Sequence, residues 1–211
     1  MKHVTLAAKD WSDYPSRDFA AWFNQLEGMR SPVLIGTADA RGATNVAVFN
    51  SLTHVGARPP LLGFVLRPLT VERHTYANLK AAGTYTVNHV DAALRDRAHR
   101  TSGKFPTGVS EFDACDIPLT EARGAVPYVR HSPVSMLLEF VEEHFVAAND
   151  TVFVVGRVVE LRLAKTFAFG KRIDWAEARG QVVSGLYDYY DVRYGAKLEY
   201  VTAPARSGGG E

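Results

Sequence analysis

The sequence is short of four things, and each shortage closes off a class of function. Cys115 is the single cysteine among 211 residues, so neither an intrachain disulfide framework nor a multi-cysteine metal site is open to it, and the usage suits a reducing compartment. No stretch approaches the ~20 consecutive apolar residues of a membrane helix. The leading "MKHVTLAAKDWSDYPSRDF" lacks an uninterrupted apolar core and is a poor signal peptide. Charge of one sign is also missing: 24 Lys+Arg face 23 Asp+Glu, a net of +1, which excludes the broad basic field of a nucleic-acid binder. Finally, no Gly-x-Gly-x-x-Gly follows a strand pattern, so a Rossmann unit for a dinucleotide is absent. The expectation is a cytoplasmic protein without a membrane or nucleic-acid partner, in one domain over residues 1–203 with a flexible tail at 204–211.

What is present reads mainly as short strands. Phe19, Trp22, Phe23 and Leu26 recur at helical spacing from Ser16, a possible N-cap, to Met29, with Gly28 near the stop. Val33, Leu34 and Ile35 form a buried-strand run between Pro32 and Gly36, and Asp39 with Gly42 supplies a reversal. "NVAVFNSLTHV" continues as strand, "PPLLGFVLRP" is another, residues 75–82 read as helix, and "TYTVNHV" returns to strand with Tyr85, Val87 and His89 on one face. An Arg-rich helix spans 91–102 and a loop follows through "GKFPTGVSEFDACDIPL". "SMLLEFVEEHFV" and "TVFVVGRVVELRL", joined by "AAND", make a hairpin, and "SGLYDYYDVRYGAKLEYV" is aromatic and irregular. Tight turns and few long helices favour an antiparallel barrel with flanking helices over a βαβ sheet.

The segment "RPLTVERHTYANL" gathers positive charge ahead of a helix start. A helix N-terminus carries unpaired N–H groups and the positive end of a dipole. Arg67, Arg73, His74 and the Thr75 hydroxyl stand beside it. Two readings are open: an ordinary Thr cap with solvated arginines, or a phosphate site. Upstream, Asn50, Ser51 and Thr53 cluster amide and hydroxyl groups at a strand end, suited either to a polar turn or to the edge of a heteroaromatic ring.

The ordered set "SPVLIGTAD…GATNVAVFNSLTHVGARPPLLGFVLRP…HTYANLKAAGTYTVNHV" resembles the flavin reductase-like, flavoredoxin-type family. The matching positions are Asn45, Ser51, Thr53, Pro59, Pro60, Arg67, Thr75, Asn78 and Asn88. His99, Ser102 and "GVSEF" resemble the following segment, and the likeness covers roughly residues 31–162. It implies an FMN-binding split β-barrel, an antiparallel Greek-key-type barrel, as a homodimer with flavin near the interface. The implied cofactor is FMN rather than FAD. Asn45 would be among the flavin-binding residues, Asn50, Ser51, Leu52 and Thr53 would line the ring and ribityl chain, and Arg67, Arg73, His74 and Thr75 would hold the phosphate. The flavin carries the redox chemistry, so the expected activity is NAD(P)H-dependent flavin reduction with onward transfer to a small-molecule or protein acceptor. The alternatives are an FMN electron carrier without its own NAD(P)H turnover, and a flavin- or haem-binding storage or sensor module. The family's Gly-Asp-His turn is replaced by Asn149-Asp150-Thr151, and no arginine precedes Gly185.

Other residues are weighed one by one. His99 is the candidate catalytic side chain, against a surface histidine beside Arg97 and Arg100. Arg95, Arg97, Arg100 and Lys104 read as a solvated face or as an attraction for a nucleotide phosphate. Tyr187, Tyr189 and Tyr190 read as ring-stacking or interface aromatics. Glu142, Glu143 and His144 alternate across a strand and cannot converge on a metal, so no metal is expected. Cys115 has no base beside it in sequence to make it a nucleophile.

Overall fold

The computed structural model describes residues 15–70, 73–106, 108–121, 126–166, 168–169 and 172–201, with isolated positions 3, 5, 7 and 9 before them. The expected tail at 204–211 lies outside the described residues. Helices are α1 (Ser16–Phe23), α2 (His74–Ala82), α3 (Arg95–Arg100) and α4 (Glu111–Ala114). The first strands are β1 (Met29–Arg30), β2 (Val33–Ala38), β3 (Thr44–Phe49), β4 (Thr53–Ala57), β5 (Pro60–Leu66) and β6 (Thr84–His89). There follow β7 (Leu119–Glu121), β8 (Pro127–Val129), β9 (Val134–Val146) and β10 (Thr151–Leu163). The last are β11 (Ala168–Phe169), β12 (Arg172–Ile173), β13 (Gln181–Ser184) and β14 (Asp188–Asp191).

A seven-stranded antiparallel sheet runs β3-β2-β6-β9-β10-β5-β4. Its two edge strands are neighbours in sequence, linked only by Asn50, Ser51 and Leu52. The sheet therefore curls until its edges approach. Phe49 of β3 meets Phe64 of β5 edge-on at 5.1 Å between ring centres, and the Ser51 side chain bonds both main-chain groups of Val65. The barrel interior holds Val33, Ile35, Phe64, Tyr85, Val87 and Leu138. On the outer face of β2 and β3, Leu34 and Val46 pack with Leu94, Ala98 and Phe112 from the α3–α4 region. Both faces of β2 are thus covered, which is why the run is apolar without alternation.

Several expectations need correction. "NVAVFNSLTHV" is two strands on opposite edges, because polar Asn50 and Ser51 turn the chain from one to the other. The first helix begins with Ser16 already inside it, Pro15 standing at the N-cap, and ends at Phe23. The remaining turn is irregular up to Gly28, whose φ of +84° favours glycine. The Arg-rich helix is only six residues long. The presumed loop after it contains α4, whose Phe112 is buried and pins it. The irregular C-terminal stretch opens with the hairpin β13–β14, which adds β1 to make a three-stranded sheet.

Candidate functional site

Helix α2 is set on the barrel by polar pegs more than by apolar burial. Thr75 and Leu79 are its fully buried positions. The Thr75 hydroxyl lies 3.2 Å from the Asn45 side-chain amide on β3, and the Asn78 amide donates to Thr37 Oγ1 on β2 at 3.2 Å. The Thr-x-x-Asn spacing places both pegs on the face that meets β2 and β3. Arg73 occupies the N-cap position and makes no capping hydrogen bond. The first intrahelical bond runs from Ala77 N–H to Arg73 C=O, so the N–H groups of Thr75 and Tyr76 have no acceptor within the helix. No acid stands in this first turn. Arg73 Nη2 donates to Pro68 C=O at 3.4 Å, while its Nε is buried without a partner among the described residues. Arg67 is exposed at the head of the same loop.

At the other end of β3, Asn50 Nδ2 donates to Gly185 C=O at 2.9 Å, tying the C-terminal hairpin to the barrel. Ser51 is held against Val65. Leu52 packs on the barrel core, and Thr53 begins the exposed edge strand β4. Asn45 lies near the start of β3 and Asn50 directly follows its end, five residues on, or about 16 Å at the usual rise per residue. The nine predicted binding residues therefore fall into a cationic end around α2 and a neutral hydrogen-bonding end after β3.

A buried carboxylate, which the sequence reading did not single out, lies behind the cationic end. Glu111 is 6% exposed, and its Oε2 accepts from Val46 N–H at 3.3 Å. The same oxygen lies 3.1 Å from the Asn45 side-chain amide. Burial raises the Glu111 pKa, opposed by hydrogen bonds from its own and Val46 N–H groups and by the charge of His74. The clue in sequence was an acid directly before an apolar Phe112 in "GVSEF".

His99 reaches the hairpin: its Nδ1 is 3.3 Å from the Tyr189 hydroxyl, and its ring meets Tyr187 and Tyr189 edge-on. With Arg95 and Asp96 these rings bound a cavity of about 390 Å³. Arg97 and Arg100 are not a free cationic face. They donate to the carbonyls of Asp116 and Cys115 and tie α3 to the end of α4. A smaller cavity of about 220 Å³ lies where Trp175, Ser31 and Gln181 meet His89. Burial there pushes His89 down to about 4. Cys115 is buried and its thiol is shifted up, mainly by that burial.

Residues 26–181 match the model of the flavin reductase-like domain. The chain belongs to that family. The flavin reductase-like chain is 32% identical to a protein from Shewanella frigidimarina described as a flavin reductase with a split barrel domain; the alignment covers 94% of this chain and all of that one, with a TM-score of 0.89. Flavoredoxin of Desulfovibrio vulgaris shares the fold at 15% identity and a TM-score of 0.72, over 82% of this chain and 92% of its own. An uncharacterized protein of Deinococcus radiodurans is 30% identical over 122 residues, 56% of this chain and 53% of that protein. The chain thus spans about half the length of this relative.

Membership establishes the split-barrel fold of a flavin reductase-like domain. The residues present fit a flavin. The start of α2 is uncapped and free of acids, and a buried arginine nitrogen beside it awaits an acceptor. Among the described residues no cluster of three or more His, Cys, Asp or Glu side chains is placed to hold a metal, and no helix is long and apolar enough to cross a membrane.

Proposed function

We propose that the protein is an FMN-dependent oxidoreductase that takes reducing equivalents from NAD(P)H and passes them to a second acceptor. The observation that carries this reading is the uncapped start of α2 with the unpartnered Nε of Arg73 beside it. A terminal phosphate supplies the anion such a place favours, and FMN ends in one. Bound flavin supplies the hydride and electron chemistry. The chain's own residues bind and orient. Arg67, Arg73, His74 and the first N–H groups of α2 hold the phosphate, Asn45 and Thr75 fix the helix, and Asn50 to Thr53 border the ring. Asn50 also anchors Gly185, which brings the hairpin and the cavity at His99 alongside the ring end. That cavity is the place for the donor or acceptor, with His99 oriented by Tyr189.

A second copy of the chain completes the unit. Val159, Leu161 and Leu163 are 46%, 54% and 36% exposed on β10, on the side away from Tyr128, which Glu160 and Arg162 face. Leu198, Tyr200 and Val201 on the C-terminal segment are 84–92% exposed. These apolar surfaces support a homodimer.

The deciding experiment is an anaerobic absorbance spectrum of the purified protein before and after NADPH and then NADH. An oxidised-flavin spectrum bleached by either nucleotide is expected. A flavin spectrum that neither bleaches replaces the reductase with an electron carrier, the reading favoured by the missing histidine at Asn149-Asp150-Thr151. Protein that stays colourless after added FMN overturns both.

A further inference from the structure

We infer that the cavity at the open end of the β13–β14 hairpin is a further binding site, built for a small uncharged ring that carries a hydroxyl or N–H donor on its edge. The site stands apart from the flavin reading, because none of the residues lining it is among the nine assigned to the flavin. Its walls are Trp175, His89, Val90 and Val192, with Gln181 and the exposed Ser31 adding polar groups. At about 220 Å³ it has room for one substituted ring, since an apolar cavity of about 150 Å³ already takes up benzene. It falls below the ~300 Å³ at which pockets for drug-sized ligands begin, so a nucleotide or a flavin is too large for it.

An acceptor with nothing to accept from comes first. Gln181 is 3% exposed. Its Nε2 donates to Asp191 Oδ1 at 2.8 Å and faces the carbonyls of Arg179 and Gly180 at 3.3 and 3.4 Å. Turning the amide over would set its oxygen against those three acceptors, so the orientation is fixed. Oε1 is then left without a hydrogen-bond partner among the described residues, which is costly for a buried oxygen until a donor arrives. The ring wall comes second. His89 and Trp175 stand 4.7 Å apart between ring centres and are tilted by 52°, a corner in which a third ring can pack edge-on or offset. Charge comes third. His89 is the one titratable side chain in the lining, and burial keeps it neutral down to about pH 4. A phosphate or carboxylate entering here would give up its hydration and meet no cation. The Asp191 carboxylate held by Gln181 opposes an anion further. Apolar walls, no charge and one waiting acceptor together select an uncharged ring with a donor.

The probe is phenol, with toluene as the ring of equal size that lacks the donor and benzoate as the charged counterpart. In NMR titrations of the full chain at about pH 7, phenol is expected to shift the Trp175 indole N–H signal and to bind on the order of tenfold more tightly than toluene. Benzoate is expected to leave that signal in place. Val192→Phe, which puts a larger side chain into the cavity, is expected to abolish the phenol shift. Gln181→Leu is expected to erase the advantage of phenol while toluene still binds. Should that variant loosen the hairpin through the lost Asp191 bond, toluene is lost as well, and Val192→Phe, which leaves the bond alone, decides. Added FMN is expected to leave phenol binding unchanged. The inference is overturned if phenol does not move the Trp175 signal, if phenol and toluene bind equally, or if benzoate binds as tightly as phenol. Phenol binding undiminished in Val192→Phe places the site elsewhere and overturns it too. Displacement of phenol by FMN makes the cavity part of the flavin site, with the same consequence.

Discussion

Arg73 carries two tasks in one side chain. Its Nη2 braces the loop at Pro68, and its Nε is kept dry and unpaired at the mouth of α2. A buried donor without a partner costs about 1–3 kcal/mol, a cost that a bound anion offsets. Arg73→Ala is therefore expected to weaken FMN binding by on the order of tenfold to a hundredfold, with riboflavin affinity nearly unchanged, as read by flavin fluorescence titration. Equal losses for the two flavins would place the effect on the loop instead. His89 makes a second prediction. Its ring lies 4.7 Å from that of Trp175, and burial lowers its pKa from 6.5 to about 4. The unfolded chain then binds the proton more readily. Stability is full above about pH 6.5 and falls as the pH drops toward about 4, by up to roughly 3 kcal/mol. Urea unfolding of wild type against His89→Phe across that window checks it: the acid-side loss is expected to shrink in the variant.

Strand β2 shows why a short apolar run can be so demanding. It is buried along its whole length, and a Cβ at Gly36 would lie 2.5 Å from Pro127 C=O and 2.6 Å from Thr86 Oγ1. Those two atoms are themselves hydrogen-bonded, Thr86 Oγ1 donating to Pro127 C=O at 2.6 Å. Gly36→Ala must push apart a backbone and a buried hydroxyl together, so a loss of about 2–4 kcal/mol is expected in urea unfolding. Helix α2 depends on its pegs instead. Asn78→Ala, which frees α2 from Thr37, is expected to cost about 1 kcal/mol of stability. It should weaken FMN more than riboflavin, because the phosphate end moves with the helix.

The molecule as a whole leaves Val159, Leu161 and Leu163 exposed along one side of β10. Covering such a stripe with a second copy removes apolar area that a lone chain cannot hide. On the homodimer proposed above, Leu161→Lys is expected to shift the protein from dimer to monomer in sedimentation velocity and to weaken flavin binding as well. A variant that sediments unchanged would place the interface elsewhere, the C-terminal segment around Tyr200 being next to test.

Local chemistry was enough to announce much of this. The covered run at Val33 to Ile35, the turn at Asp39 and Gly42, the β9–β10 hairpin and the cationic start of α2 were all legible, because hydrophobic period and turn chemistry act over a few residues. The ordered polar positions also carried the family. Whatever depended on distant partners was not legible. A strand pattern through Asn50 hides a passage from one sheet edge to the other, since curling of the barrel and not local propensity decides which strands pair. Nor could spacing show that Glu111, sixty-five residues from Val46, is buried behind the helix that starts at His74. Burial depends on which surfaces meet, and only the packing of α4 against β3 takes that carboxylate out of water. Residue order by itself determined the elements and the polar and charged groups on offer; the tertiary structure decided which of them are left exposed and which hold the others in place.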